Sequence, residues 1–175
     1  MFPRICISLG SSDFDQAIFK RHDFFEFRLD LAEIEDLIPK AKISIATCHC
    51  DPKKLIGINS SYIDLDRKSE KIETNALIIR SLHDFEKTPP LDQLLEFIHG
   101  EDDSQIKKIA CKINSPADTE TLLSLHDERD NLVIVGMGDP NFRRLKTKSL
   151  WTYASYGLKT APGQIEFDEM SLCTE

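Results

Sequence analysis

Residues Ile106 to Ile113 read IKKIACKI, an apolar run carrying three lysines, and a lysine inside a strand is a group that can do chemistry. Burial disfavours the charged amine and lowers its pKa from about 10.4, and the neutral amine attacks carbonyl carbon. The period of two in a strand sets Lys107 beside Ile109, Cys111 and Ile113, and Lys108 beside Ile106, Ala110 and Lys112. The first side is the more apolar and suits packing under helices. Lys108 then points, next to the small Ala110, into whatever the opposite face encloses. Lys112 shares that face nearer the strand end, so periodicity alone leaves two candidate nucleophiles. An edge strand with its lysines in water is the plain alternative.

Two other segments carry charge along one side. In FFEFRLD (24–30), Phe25, Phe27 and Leu29 oppose Glu26, Arg28 and Asp30; in SYIDLD (61–66), Ile63 and Leu65 oppose Asp64 and Asp66. His83 follows the buried run ALIIRSL, and a histidine titrating near 6.5 can move protons at neutral pH. Arg144, Thr160 and Gln164 follow the last two strand candidates. A carbonyl-reactive lysine, a histidine and arginines for a carboxylate are the parts needed for Schiff-base chemistry on an anionic, sugar-like acid. Cys48-His49-Cys50 has metal-ligating types without a second ligand pair at zinc spacing, so no metal is expected.

Eight strand candidates position these residues: 4–9, 24–30, 43–47, 61–66, 76–82, 106–113, 132–135 and 151–156. Helices are predicted over 11–22, 31–40, 89–99 and from Ser115-Pro116 onward, with a basic candidate over 141–149. The connector after the third strand, DPKKLIGINS, has room for a turn or two of helix. Strand and connector alternate about every 20 residues, which predicts a parallel sheet, and eight units predict a compact (β/α)8 TIM barrel with shortened connectors. An open doubly wound sheet suits the length better, but both its faces are covered by helices. A barrel mouth lets the charged faces of strands two, four and six converge.

At 175 residues and 41% hydrophobic, the chain is read as one domain over residues 1–175. A net charge of −8 with no basic run argues against nucleic acid. The absence of an apolar run of membrane length argues against a membrane partner. Five cysteines, two of them inside apolar strands, suit reduced thiols and a cytoplasmic location.

Taken in order, ICISLG, EFRLD, YIDLD, SLHDF, KIA and the terminal TAPGQI resemble one family, the type I 3-dehydroquinate dehydratases of the shikimate pathway. The resemblance runs from residue 5 to residue 165, and HDF and APGQI are its most specific elements. It implies that Lys108 forms an imine with the C3 ketone of 3-dehydroquinate. His83 would take a C2 proton and assist loss of the C1 hydroxyl, giving 3-dehydroshikimate without cofactor or metal. Asp66 would stand beside His83, while Arg144, Glu26, Arg28, Thr160 and Gln164 would bind substrate and Met137 would line the pocket. It places the nucleophile at Lys108 rather than Lys112.

This chain departs from the family at several points. Asp66 stands for a glutamate, shorter by about 1.5 Å. His49 stands where a TFR motif has a substrate-binding arginine, and Thr160 replaces a serine. Only eleven residues follow Gln164, where the family builds a final helix. The family also implies a possible homodimer or association with shikimate dehydrogenase, of which this chain could be the fused first domain. A Schiff-base aldolase, and a barrel that binds an anionic metabolite or a partner without catalysis, are the rival readings.

Overall fold

In the computed structural model, residues 4–142 and 148–171 are described. The strands are β1 (Arg4–Leu9), β2 (Phe24–Arg28), β3 (Ile43–Thr47), β4 (Tyr62–Asp66), β5 (Leu77–Asp84), β6 (Ile106–Lys112), β7 (Leu132–Met137), β8 (Trp151–Ser155) and β9 (Ile165–Glu166). They form one curled, wholly parallel sheet in the order β7-β6-β5-β4-β3-β2-β1-β8-β9. All eight expected strands are present. β9 is too short for sequence periodicity to find.

The curl gives the sheet an inside. Cys6, Phe24, Ile45, Ile79, Ile106, Val133 and Trp151, from seven strands, meet in one apolar cluster on the concave face, where Phe24 meets Trp151 edge to face at 5.2 Å. The ladder stops between β7 and β8. There Leu150 N donates to Leu132 O at 3.0 Å, Ile134 N donates to Ser149 Oγ at 3.0 Å, and Gly138 N donates to Pro162 O at 3.3 Å. Gly163, at φ 69°, packs on Gly138 so closely that a Cβ would lie 2.8 Å from its nitrogen. A larger residue there would push the loop after β8 off the end of β7.

The convex face is covered unevenly. Over β5 to β7 lie two proper helices, α2 (Leu91–His99) and α3 (Pro116–Ser124), burying Leu94, Ile98 and Leu122 against Ile109, Cys111 and Ile134. α3 begins in a reciprocal capping box between Ser115 and Asp118 with Pro116 in its first turn. Over β1 to β4 the cover is thinner than the sequence suggests. The helix expected over 11–22 shrinks to one turn, α1 (Ile18–Arg21), because Ser11 and Asp15 side chains accept from Asp13 N and Ala17 N and hold the chain in local turns. The one expected over 31–40 becomes a 3-10 turn, Glu35–Lys40, containing Pro39. The connector after β3 holds one 3-10 turn, Pro52–Leu55. A final short helix, α4 (Phe167–Ser171), follows β9. The basic helix candidate falls mostly on 143–147, outside the described residues. Among the described residues no helix is long and apolar enough to cross a membrane.

Candidate active site

Toward the C-terminal ends of the strands the apolar filling gives way to buried polar groups. Parallel register lines up Ser8 with Glu26, Thr47 with Asp64, and Asp66 with Ser81 and Lys108. All of these but Asp66 are buried. The alternation read from IKKIACKI holds: Ile109 and Cys111 face the helices, Lys108 and Ala110 face inward, and Lys112 is exposed at the rim.

Lys108 is bound more tightly than its strand suggested. Its Nζ donates to Asp64 Oδ2 at 2.6 Å, stands 3.5 Å from Glu26 Oε1, and lies 4.7 Å above the Tyr153 ring. The carboxylates are held in turn. Asp64 Oδ1 accepts from the Ser81 hydroxyl, and Glu26 accepts from Ser8 Oγ at 2.5 Å and Thr47 Oγ1 at 3.0 Å. Each oxygen that has left water thus gains a donor.

The charge state follows from this network. Burial pulls the Lys108 pKa down, but Asp64, Tyr153 and Glu26 together outweigh it and raise the amine well above its ordinary value. Desolvation alone therefore does not free this amine, and the resting residue is an ammonium. Burial pushes Glu26 up, yet Lys108, Arg28 and the Ser8 hydroxyl hold its carboxyl down at about 2. Of the carboxylates on the charged strand faces, Asp64 makes the direct contact with this amine and Glu26 stands beyond it.

His83 is held differently. Its Nδ1 lies 3.8 Å from Asp66 Oδ2, beyond direct hydrogen-bond length, and Asp66 also accepts from Lys68 N at 2.9 Å. The His49 ring meets it edge on, centroids 4.5 Å apart at 70°, and Phe85 lies parallel to it at 6.0 Å. Burial first, then His83, Lys108 and Arg28, hold the His49 pKa down to about 4 against the pull of Asp64.

Arg28 is tied on two sides. Its guanidinium grips Asp30 at 2.9 and 2.7 Å and donates to Thr160 O at 2.9 Å. Gln164 Oε1 accepts from Thr160 N, Thr160 Oγ1 and Ala161 N, pinning the loop after β8, while Thr160 Oγ1 is 2.7 Å from Ser8 Oγ. These contacts close a pocket with about 500 Å³ of free space including its open mouth.

Of the residues singled out in the sequence, Glu26, Arg28, His83, Lys108, Met137, Thr160 and Gln164 all line this pocket. Asp66 stands behind His83 rather than on the wall. Arg144 lies outside the described residues. Asp64, Ser8 and Tyr153 were not singled out, although Asp64 already stood on the acidic side of YIDLD. Tyr153 lies on β8, and the curl of the sheet brings it under Lys108. Among the described residues no group of three or more His, Cys, Asp or Glu side chains is arranged to hold a metal ion.

Known proteins resemble this chain in sequence and fold. The profile of the Type I 3-dehydroquinase family matches residues 53–173. A 3-dehydroquinate dehydratase of Methanococcus maripaludis strain C5 is 31% identical, with 95% of this chain and 96% of that protein aligned. The alignment spans 209 positions, more than this chain's 175, so the relative carries residues with no counterpart here. Among solved structures, the 3-dehydroquinate dehydratase from Aquifex aeolicus VF5 superposes with a TM-score of 0.76 at 24% identity, covering 97% of this chain and 96% of the other. That from Geobacillus kaustophilus HTA426 gives 0.69 at 19% identity over 98% and 89%. The two superpositions speak to the fold.

Proposed function

The chain belongs to the type I 3-dehydroquinase family, a family of hydro-lyases, and from that premise we propose that it converts 3-dehydroquinate to 3-dehydroshikimate through an imine on Lys108. The observation that carries this reading is a buried strand lysine, 2.6 Å from a buried carboxylate, in a pocket that His83 also lines. The curled sheet is read as a (β/α)8 barrel whose seam, between β7 and β8, is joined by Ser149, Leu150 and the Gly138–Gly163 contact instead of a ladder.

The chemistry begins with an ammonium. Lys108 passes a proton across the short contact to Asp64, and the freed amine attacks the substrate's C3 carbonyl. Loss of water from the carbinolamine gives the iminium, which draws electron density from C2. His83 then removes a C2 proton. The C1 hydroxyl leaves as water with a proton returned by His83, and hydrolysis of the conjugated iminium releases product and restores Lys108. One water is lost overall. The iminium serves as the electron sink, so the route asks for no organic cofactor or metal. A cytoplasmic location fits the same reading.

Substrate binding draws on groups with different freedom. Thr160 and Gln164 are fixed by their mutual contacts and Glu26 is tied to Thr160 through Ser8, so all three suit hydroxyl recognition, while Arg28, committed to Asp30, acts as a rigid positive wall. Arg144 is proposed to hold the carboxylate. The test is absorbance of the conjugated enone of dehydroshikimate, run beside borohydride trapping with 3-dehydroquinate. Product together with an adduct on the Lys108 peptide is expected. Carbon–carbon cleavage would indicate the aldolase reading, and neither product nor adduct would indicate a barrel that only binds.

A further inference from the structure

A histidine that must take a proton from carbon needs its ring fixed, and an imidazole turns about two side-chain bonds, the second of them broad. Among the described residues around His83, three could do this. Asp66 reaches Nδ1 only at 3.8 Å and is itself one-third exposed. Phe85 lies parallel, but its centroid is 6.0 Å away and it is 58% exposed. Among the described residues His49 alone meets the ring at close range from the pocket wall, edge to face at 4.5 Å.

We propose that His49 is a positioning residue for His83, its ring edge wedged against the imidazole so that the orientation not fixed by Asp66 is fixed by packing. This rests on the reading of His83 as the proton carrier. Its anchorage is sound: Cys48, the preceding residue, is buried in the outer core, and Thr47 O at the end of β3 accepts from Leu29 N at 2.8 Å. The charged and titratable groups around it are His83, Asp64, Lys108 and Arg28, with Glu26, Asp30 and Asp66 beyond. Burial and the nearby cations keep the ring neutral at working pH. It therefore offers His83 a shape and offers a substrate carboxylate no positive charge. In this chain the residue at the position of the family's arginine would steer the base instead of gripping the anion.

The test compares wild type with His49→Ala, His49→Gln and His49→Phe in steady-state turnover and in borohydride trapping. Small misplacements of a catalytic group cost up to about a hundredfold in rate. His49→Ala should lower kcat by about tenfold to a hundredfold with KM within about threefold, and trapping on Lys108 should persist because imine formation does not need the wedge. His49→Phe, which keeps a ring but neither charge nor ring nitrogen, should recover kcat to within about threefold of wild type. If His49→Ala does not fold, His49→Gln, of similar reach without a ring, should show the same loss. Wild-type kcat in His49→Ala or His49→Gln would overturn the proposal. So would a His49→Phe as impaired as His49→Ala with KM raised in both, which would make His49 a substrate contact. Wild type that neither traps nor turns over would instead remove the dehydratase reading, and the wedge with it.

Discussion

Lys107 and Lys108 are neighbours on β6, both buried, each facing an aspartate and each lying over an aromatic ring, yet they sit on opposite faces of the sheet. Lys107 points outward, pairs with Asp102 and lies 4.9 Å over Phe97. Lys108 points inward to Asp64, with Glu26 at 3.5 Å and Tyr153 beneath. The partners make the difference. Asp102 is on a loop with its side chain 29% exposed, whereas Asp64 and Glu26 are on strands with side chains 0% and 5% exposed. The outer pair is a structural contact between β6 and the loop after α2, with Phe97 of α2 lying against the Lys107 amine. The inner pair opens onto a pocket that His83 lines, so a proton leaving Lys108 has a fixed acceptor and the amine a place to react. Burial alone makes neither lysine a nucleophile.

Breaking each lysine tests that contrast most directly. Lys108→Ala should abolish both turnover and borohydride trapping while the protein stays folded. Lys107→Met should leave trapping on Lys108 intact and cost about 1–2 kcal/mol in denaturant unfolding, because it strands a partly exposed Asp102. Lys112→Ala, at the exposed rim, should still trap. An adduct on Lys107 or Lys112, found by peptide mass analysis, would reverse the assignment.

The next largest effect should come from the acceptor. Asp64→Asn keeps the size and can still accept from Lys108, but it cannot take the proton. Imine formation, followed as the trapping rate at pH 7, should slow by at least about tenfold. The same change removes the strongest attraction holding the amine pKa up, so the slowed reaction should respond to pH over a lower range than wild type. Trapping at the wild-type rate or faster would show that the carboxylate merely restrains the amine.

The sequence could reveal which face Lys108 takes but not which carboxylate it meets. Alternation separates Lys107 from Lys108 because a strand admits only two faces. Register places Asp66, Ser81 and Lys108 in one row, and Asp64, Ile79 and Ile106 in the row below. The amine bends back into that lower row, a side-chain choice with no signature in spacing. Strand existence was similarly legible: Ile43–Thr47 lies where the apolar run predicts it. The connectors over 11–22 and 31–40 were harder because apolar spacing there favours helix, while Ser11, Asp15 and Pro39 favour turns. His49 could be seen only as a departure from a motif. Its contact with His83 joins the ends of β3 and β5, two strands separated in the sheet by β4.

A smaller effect separates the inner network by acid. The Glu26 carboxyl is held at about 2, below its ordinary 4.5, so its contribution to stability is complete above about pH 4.5 and is lost as pH falls toward 2. Thermal unfolding followed from pH 6 to pH 3 should show a steeper loss for wild type than for Glu26→Gln, which lacks the titrating group. Parallel curves would mean that Glu26 is not the carboxylate that Lys108 stabilises. Turnover should also fall on the acid side, because an imidazolium cannot take the C2 proton. A rate flat down to about pH 4.5 would remove His83 from the role of base.

The smallest expected change is at Asp66. Its carboxylate is 3.8 Å from His83 Nδ1, and a glutamate reaches about 1.5 Å further, enough to bring the contact within hydrogen-bond length. The same lengthening gives up the bond from Lys68 N at 2.9 Å, which costs about 1 kcal/mol of local order on a partly exposed strand end. The gain in ring orientation and the loss at the turn oppose each other, and His49 already packs against the ring. Asp66→Glu should therefore leave kcat between unchanged and about threefold higher, with a slightly lower unfolding midpoint. The gain should grow in the His49→Ala background, where the carboxylate would be the main remaining restraint on the ring. A loss of more than about tenfold in a folded Asp66→Glu protein would show that the pocket is built around the shorter acid, with the long contact itself holding His83 in its working orientation.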